Sequence, residues 1–151
     1  MIKIICIGKL KEKYWQDSCE EYRKRLEKYT KLEIVELADE KSDDEKVCLI
    51  KEKERIEKVL NPKDYLITLE IDGNQVDSLT LAQKLDRLQT QNSTITFLIG
   101  GSHGIHEEIK KLANEHLSFS KLTFPHQLFR LLLLEQLYRS YKIINHEKYH
   151  K

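Results

Sequence analysis

The sequence predicts an α/β domain: a mostly parallel sheet flanked by helices. Three observations carry that expectation. Strand-like runs alternate with helix-like runs along the whole chain, the pattern that builds parallel sheets through helical crossovers. Most strand-like runs are apolar on both faces, as strands covered from two sides are. Glycines and a proline cluster directly after three of the runs, and in such sheets ligands sit beyond the carboxyl ends of strands. The 151 residues are expected to form a single domain, 1–151, burying about two-thirds of the surface of the unfolded chain.

Ile2 to Ile7 (IKIICI) reads as the first strand, ended by Gly8; the stretch is too short and too soon charged for a signal peptide. Over 12–29, Tyr14, Trp15, Tyr22, Leu26 and Tyr29 fall near helical spacing among charges, an amphipathic helix. Leu32 to Leu37 is a second strand. The acids of 38–44 suit the start of a helix over 45–60, which Asn61-Pro62 closes. Tyr65 to Ile71 is a third strand, closed by Asp72-Gly73-Asn74. Ser78 is the expected N-cap of a helix over 79–90, with Leu81, Leu85 and Leu88 on one side. Thr94 to Ile99 is a fourth strand running into Gly100-Gly101-Ser102-His103-Gly104, and a short helix then reaches about Ala113.

The last thirty-odd residues form one unit. Leu117 to Leu122 alternates as a strand, with Leu117, Phe119 and Lys121 on one face. Thr123-Phe124-Pro125 breaks it, because proline lacks a ladder donor and pushes its predecessor out of the helical region. A leucine-rich helix follows over His126–Asn145, too apolar around its circumference to own an ordinary solvent face, yet carrying Arg130, Glu135, Arg139 and Lys142. Asn145 to Lys151 is a polar tail.

Composition narrows the function. Cys6, Cys19 and Cys48 are odd in number, widely spaced and free of any C-x-x-C pair, which points to reduced thiols in a cytoplasm and no zinc site. No run of about eighteen uncharged apolar residues exists, so no membrane span is expected. Acids and histidines form no ligand cluster, so no metal is expected. The net charge of +1 divides unevenly: nine Lys/Arg against five acids in 1–31, and six against two in 121–151. Two basic ends suit either solvated helix faces or a phosphate-facing surface.

The loops after Leu69-Glu70, around Gly100-Gly101 and Gly104, and at Thr123-Phe124-Pro125 are expected to converge on one pocket. Two glycines after a buried strand either let a flat ligand lie against bare backbone or make a plain turn needing positive φ. The loop is not G-x-G-x-x-G and carries no Walker lysine, which leaves a nucleoside-type ligand. Leu69 and Leu122 either sandwich its ring or belong to the core.

F-L-I-G-G-x-x-G at 97–104, L-S-F-S-K-L-T-F-P-H-Q at 117–127, E-Q-L-Y-R at 135–139 and a terminal Y-H-K together resemble the SPOUT, or trefoil-knot, superfamily. G-K-L-K-E-K-Y-W at 8–15 and T-L-E at 68–70 extend the resemblance over the whole chain, to the family that methylates N3 of a pseudouridine in 23S ribosomal RNA. The resemblance implies a C-terminal trefoil knot, a rare exception among folds. It also implies S-adenosyl-L-methionine as donor, a homodimer, and 23S rRNA in the ribosome as substrate. Carried over position by position, its cofactor contacts fall on Leu69, Gly100, Phe119, Ser120, Lys121, Leu122, Thr123 and Phe124; Ser102 and His103 receive no role. A dimer would cover the last helix a second time.

Methyl transfer to a uracil-type N3 needs that nitrogen deprotonated, by a base or by a positive environment that stabilises the anion. His150 and Glu135 are the candidate bases, Arg130 and Arg139 the candidates for stabilising charge or holding phosphate, and Tyr149 accompanies His150. Glu135 equally suits neutralising Arg139, four residues on. His126 is expected to be structural, Tyr138 and Tyr141 to be packing residues, and Lys9, Lys11 and Lys13 either exposed charges or RNA contacts. The rival reading is a non-catalytic nucleotide- or RNA-binding module. A flavin-type enzyme is disfavoured, because Gly8-Lys9-Leu10-Lys11 offers no Ser/Thr-rich phosphate loop.

Overall fold

A computed structural model describes residues 1–151. Its elements are β1 (Ile2–Ile7), α1 (Lys13–Leu26), β2 (Leu32–Leu37), α2 (Glu45–Val59), β3 (Tyr65–Gln75), α3 (Ser78–Gln91), β4 (Ile95–Ile99), α4 (Glu107–Leu112), β5 (Glu115–Ser118) and α5 (His126–Ile144). The five strands form one sheet in the order β2-β1-β4-β3-β5, and every pairing is parallel.

Both faces are covered, and the two-residue period of the strands decides what goes where. Ile4, Cys6, Phe97 and Ile99 point to the layer of α1, α3 and α5, joining Leu133, Leu134, Leu137 and Tyr141. Ile5, Ile7 and Leu98 point to α2 and α4, against Ile56, Ile105 and Ile109. Every residue of β4 is buried, as its continuous apolar run requires. The three cysteines are free and buried, and no helix is long and apolar enough to cross a membrane.

Three local details differ from the sequence expectation. The cap of α3 is Asp77, whose carboxylate accepts from the Thr80 amide at 2.7 Å; Ser78 instead donates its hydroxyl to Gln136 of α5 at 2.7 Å. An aspartate one residue earlier wins because its acceptor reaches the free first-turn amide, and tertiary contact claims the serine. β5 stops at Ser118 rather than Leu122, because its last partner on β3 is Gln75. Past that point the hydroxyls of Ser118 and Ser120 fold the chain, bonding Ser120 O and the Leu122 amide at 3.0 Å each. Leu117 is therefore buried while Lys121 is exposed, and they share no face.

The third difference matters most. β3 continues to Gln75, and Leu117 pairs with both Leu69 and Asn74, so Glu70 to Gly73 loop out between two ladder positions as a bulge. A Cβ on Gly73 would lie 2.7 Å from the Leu117 carbonyl carbon. Close backbone crossing, not a left-handed φ, is what requires glycine there.

Candidate functional site

A cleft of about 1040 Å³ opens at the carboxyl end of the sheet. The bulge after β3 gives it Leu69, Glu70, Ile71 and Asp72, the glycine loop gives it Gly100 to Ile105, and the bent segment before α5 gives it Phe119, Ser120 and most of Leu122 to Phe129. The three expected loops thus share one cavity, and the exit of β1 adds Gly8, Lys9 and Lys11. Of the eight residues singled out for cofactor contact, Leu69, Gly100, Phe119, Ser120, Leu122, Thr123 and Phe124 line it. Lys121 does not; it is exposed on the outer side of the turn.

Side-chain packing gives the cleft an aromatic wall. Phe129 sits 5.2 Å from Phe119 and 6.4 Å from Phe124 between ring centroids. Leu122 is left 70% exposed at the rim, whereas Leu69 is 8% exposed and belongs to the core. Glycine at 100 is required by the fold itself. A Cβ on Gly100 would fall 2.6 Å from Gly104 O and 2.7 Å from Ile105 Cγ1, so the loop's own return excludes it. Positive φ is found at Gly104 (83°) and Gly8 (115°), not at Gly100 or Gly101. Behind Gly101 stands Glu52, 4% exposed, whose carboxyl burial pushes upward in pKa.

Arg130 is sealed beneath this wall at 2% exposure. It donates to Glu36 Oε2 at 2.6 Å, to Gly8 O at 3.0 Å and to His126 Nε2 at 3.0 Å. A guanidinium only donates, so His126 Nε2 accepts and its proton sits on Nδ1. Burial first, and then the Arg130 charge, lower the His126 pKa to about 4. His126 is thus a neutral structural group. Arg130, expected to stabilise charge or hold phosphate, is a clasp that ties α5 to the ends of β1 and β2.

The other candidates gather at the far end of α5. Glu135 Oε1 accepts from Arg139 Nη2 at 2.5 Å and from the Tyr149 hydroxyl at 3.1 Å. Arg139 Nη1 lies 3.2 Å from His150 Nδ1, and its guanidinium stacks 4.7 Å from the Tyr149 ring centroid. The tail is folded back: Tyr149 packs on Tyr138 at 4.9 Å, which in turn meets Tyr22 at 6.0 Å. Burial above all, with Tyr22 and Glu135 alongside, raises the Tyr149 phenol; the Glu135 hydrogen bond raises Arg139. None of Glu135, Arg139, Tyr149 and His150 lines the cleft. From His126 to Arg139 the helix rises about 20 Å, so the expected site residues fall into two groups, one at the cleft and one on the second half of α5 with the tail.

The sequence reading missed a further group. Glu70, on the bulge, accepts from Thr68 Oγ1 at 2.6 Å and from His116 Nδ1, and Lys110 Nζ stands 3.5 Å from its other oxygen. Burial pushes Glu70 up in pKa, but the hydrogen bonds from Thr68 and His116 outweigh it and hold the carboxyl below its usual range. The available signal was a glutamate inside an otherwise apolar strand, just before Asp72-Gly73. No group of three or more His, Cys, Asp or Glu converges as metal ligands would.

Comparison with known proteins agrees with this architecture. A solved structure described as a probable methylase family protein from Haemophilus influenzae Rd KW20 superposes with a TM-score of 0.58 at 16% identity, over 99% of this chain and 70% of that one. This likeness bears on the fold alone. A Methanococcus maripaludis protein with the provisional name ribosomal RNA large subunit methyltransferase H is 52% identical over 99% of each chain. The family model described as predicted SPOUT methyltransferase matches residues 1–150. Matched along essentially its whole length, the chain belongs to the SPOUT methyltransferase family.

Proposed function

We propose that this methyltransferase uses S-adenosyl-L-methionine to methylate N3 of a pseudouridine in 23S rRNA, on assembled ribosomes in the cytoplasm, as a homodimer. One observation carries the reading: Leu69, the Gly100 loop and the Phe119–Phe124 turn enclose a single cleft at the carboxyl ends of the strands, large enough for a nucleoside-bearing donor. The relative's name, a large-subunit rRNA methyltransferase, supplies the substrate class.

The donor brings a sulfonium methyl group for in-line displacement, and positioning is the larger part of the protein's task. The Phe119–Phe124–Phe129 wall and Leu122 offer apolar faces to an adenine ring. Lys9 and Lys11, at the cleft edge, offer charge to RNA phosphates. Arg139 supplies the positive charge that stabilises a deprotonated N3, while Glu135 orients Arg139, and Tyr149 and His150 flank it.

Those four groups lie too far from their own cleft to act there, which supports a second copy delivering its tail to the first copy's cleft. The half-buried flank of α5, with Leu128, Leu131 and Leu132, gives such a copy an apolar face to cover. The reading includes the C-terminal trefoil knot. Its support is the path from edge strand β5 back to Gly8 at β1, with Gly73 pressed on Leu117 where the chains cross.

The deciding experiment is methyl incorporation from labelled donor into ribosomes lacking the modification, with mapping of the modified base. Label confined to N3 of one large-subunit pseudouridine is the expected result. Label elsewhere, or none with donor bound, defeats the assignment. Sedimentation of the protein alone tests the dimer, and a monomer at micromolar concentration would remove the shared-site argument.

A further inference from the structure

We infer that Glu70 is the ribose-recognition group of the cleft, its Oε1 accepting hydrogen bonds from a cis-diol. This inference rests on the adenosyl donor proposed above and adds a residue to it. Glu70 is half-buried on a bulge that exists only because β3 pairs with Leu117 twice, at Leu69 and Asn74. β3 lies between β4 and β5 in the sheet. The bulge therefore projects between the Gly100 loop and the Phe119–Phe124 turn, and an adenosine touching both passes over it.

The two oxygens of Glu70 are not equivalent. Oε2 is occupied by the Thr68 hydroxyl at 2.6 Å and by His116 Nδ1. Oε1 has a single partner, the long ion pair to Lys110 Nζ at 3.5 Å. The Thr68 and His116 bonds fix the side chain's rotamer, and Glu70 lines the cleft, so Oε1 is a pre-positioned acceptor with little freedom left to lose on binding. The other cleft acids lack this support. Asp72 is exposed, while Asp39 and Glu45 follow β2, at the opposite edge of the sheet.

The neighbouring charge selects the ligand group. Lys110 lines the same cleft, so an ammonium or sulfonium brought to Oε1 would meet its repulsion. A hydroxyl donor meets none. A carboxylate already offset by Lys110 accepts from neutral donors at full strength, and a carboxylate on ribose hydroxyls is a recurring solution at strand exits of nucleotide-binding sheets.

The test is calorimetric, with S-adenosylhomocysteine and its 2′,3′-dideoxy analogue titrated into the wild type and Glu70→Gln. In the variant the amide oxygen stays with Thr68 and His116, placing an NH2 donor where Oε1 was. The expected result is a loss of at least tenfold for S-adenosylhomocysteine in the variant, a similar loss for the analogue in the wild type, and no further loss when both changes are combined. Equal weakening of both ligands by the variant would make Glu70 merely structural and overturn the inference; so would unchanged affinity for S-adenosylhomocysteine. A wild type that binds neither ligand defeats the adenosyl reading itself, a separate and recognisable failure. Should Glu70→Gln not fold, Glu70→Asp keeps the charge, withdraws the oxygen by one methylene, and serves the same four-way comparison.

Discussion

The two ends of α5 carry similar polar residues in opposite circumstances. Near its start, Arg130 is 2% exposed and each of its contacts is to its own domain. Near its end, Arg139 holds Glu135 at 2.5 Å but keeps 24% of its side chain exposed, next to a tail that folds over it. One arginine is a fastening and the other is a presented charge. Residue type does not separate them, but helix face does: nine residues at about 100° each put them on opposite sides of α5, with Arg130 in line with buried Leu134, Leu137 and Tyr141. Arg130 therefore reaches Gly8 O and Glu36, whereas Arg139 faces away from the sheet and is bonded to its own helix and the tail.

Breaking the fastening should have the largest effect on stability. Arg130→Ala leaves Gly8 O without its donor and Glu36 with only the Leu10 amide at 3.4 Å; because Glu36 keeps 37% of its side chain exposed, the expected loss is about 2–3 kcal/mol, less than for a fully buried pair. Chemical denaturation measures it, and a loss below about 1 kcal/mol would mean the clasp is dispensable. Gly100→Val comes next. With a Cβ 2.6 Å from Gly104 O, backbone must shift, at about 1–3 kcal/mol, and donor affinity should fall because the glycine loop moves. Unchanged stability in denaturant would show that the loop yields freely.

Acid should sharpen the contrast. The His126 pKa is about 4 in the fold, against about 6.5 in an unfolded chain, so the unfolded chain binds the proton first. Stability contributed by neutral His126 is complete above about pH 6.5, declines as pH falls toward 4, and changes no further below that. Urea midpoints across this window should slope in the wild type and flatten in His126→Gln. His150→Gln, at the exposed end, should leave the slope in place. The smallest stability effect belongs to removal of residues 149–151, under about 1 kcal/mol as for other half-exposed contacts. Donor affinity should be retained and methyl transfer to ribosomes lost; full activity would clear the tail of any role.

The alternation of apolar runs made the α/β class legible, because a strand buried on both faces and a helix buried on one leave different periods in the chain. Glycine and proline marked the loops of the cleft for an equally local reason: each constrains its own backbone. The sequence did not determine that a Cβ at Gly100 would meet Gly104, that Glu70 rides on a bulge, or that Arg130 is clasped by Gly8 and Glu36. Those outcomes depend on pairs distant in the chain, Leu69 and Asn74 both on Leu117, and Arg130 on Gly8 and Glu36. Only the folded sheet brings them within hydrogen-bonding distance, and burial, which decides whether a charge is sealed or left accessible, is a property of that assembled neighbourhood and not of any residue in it.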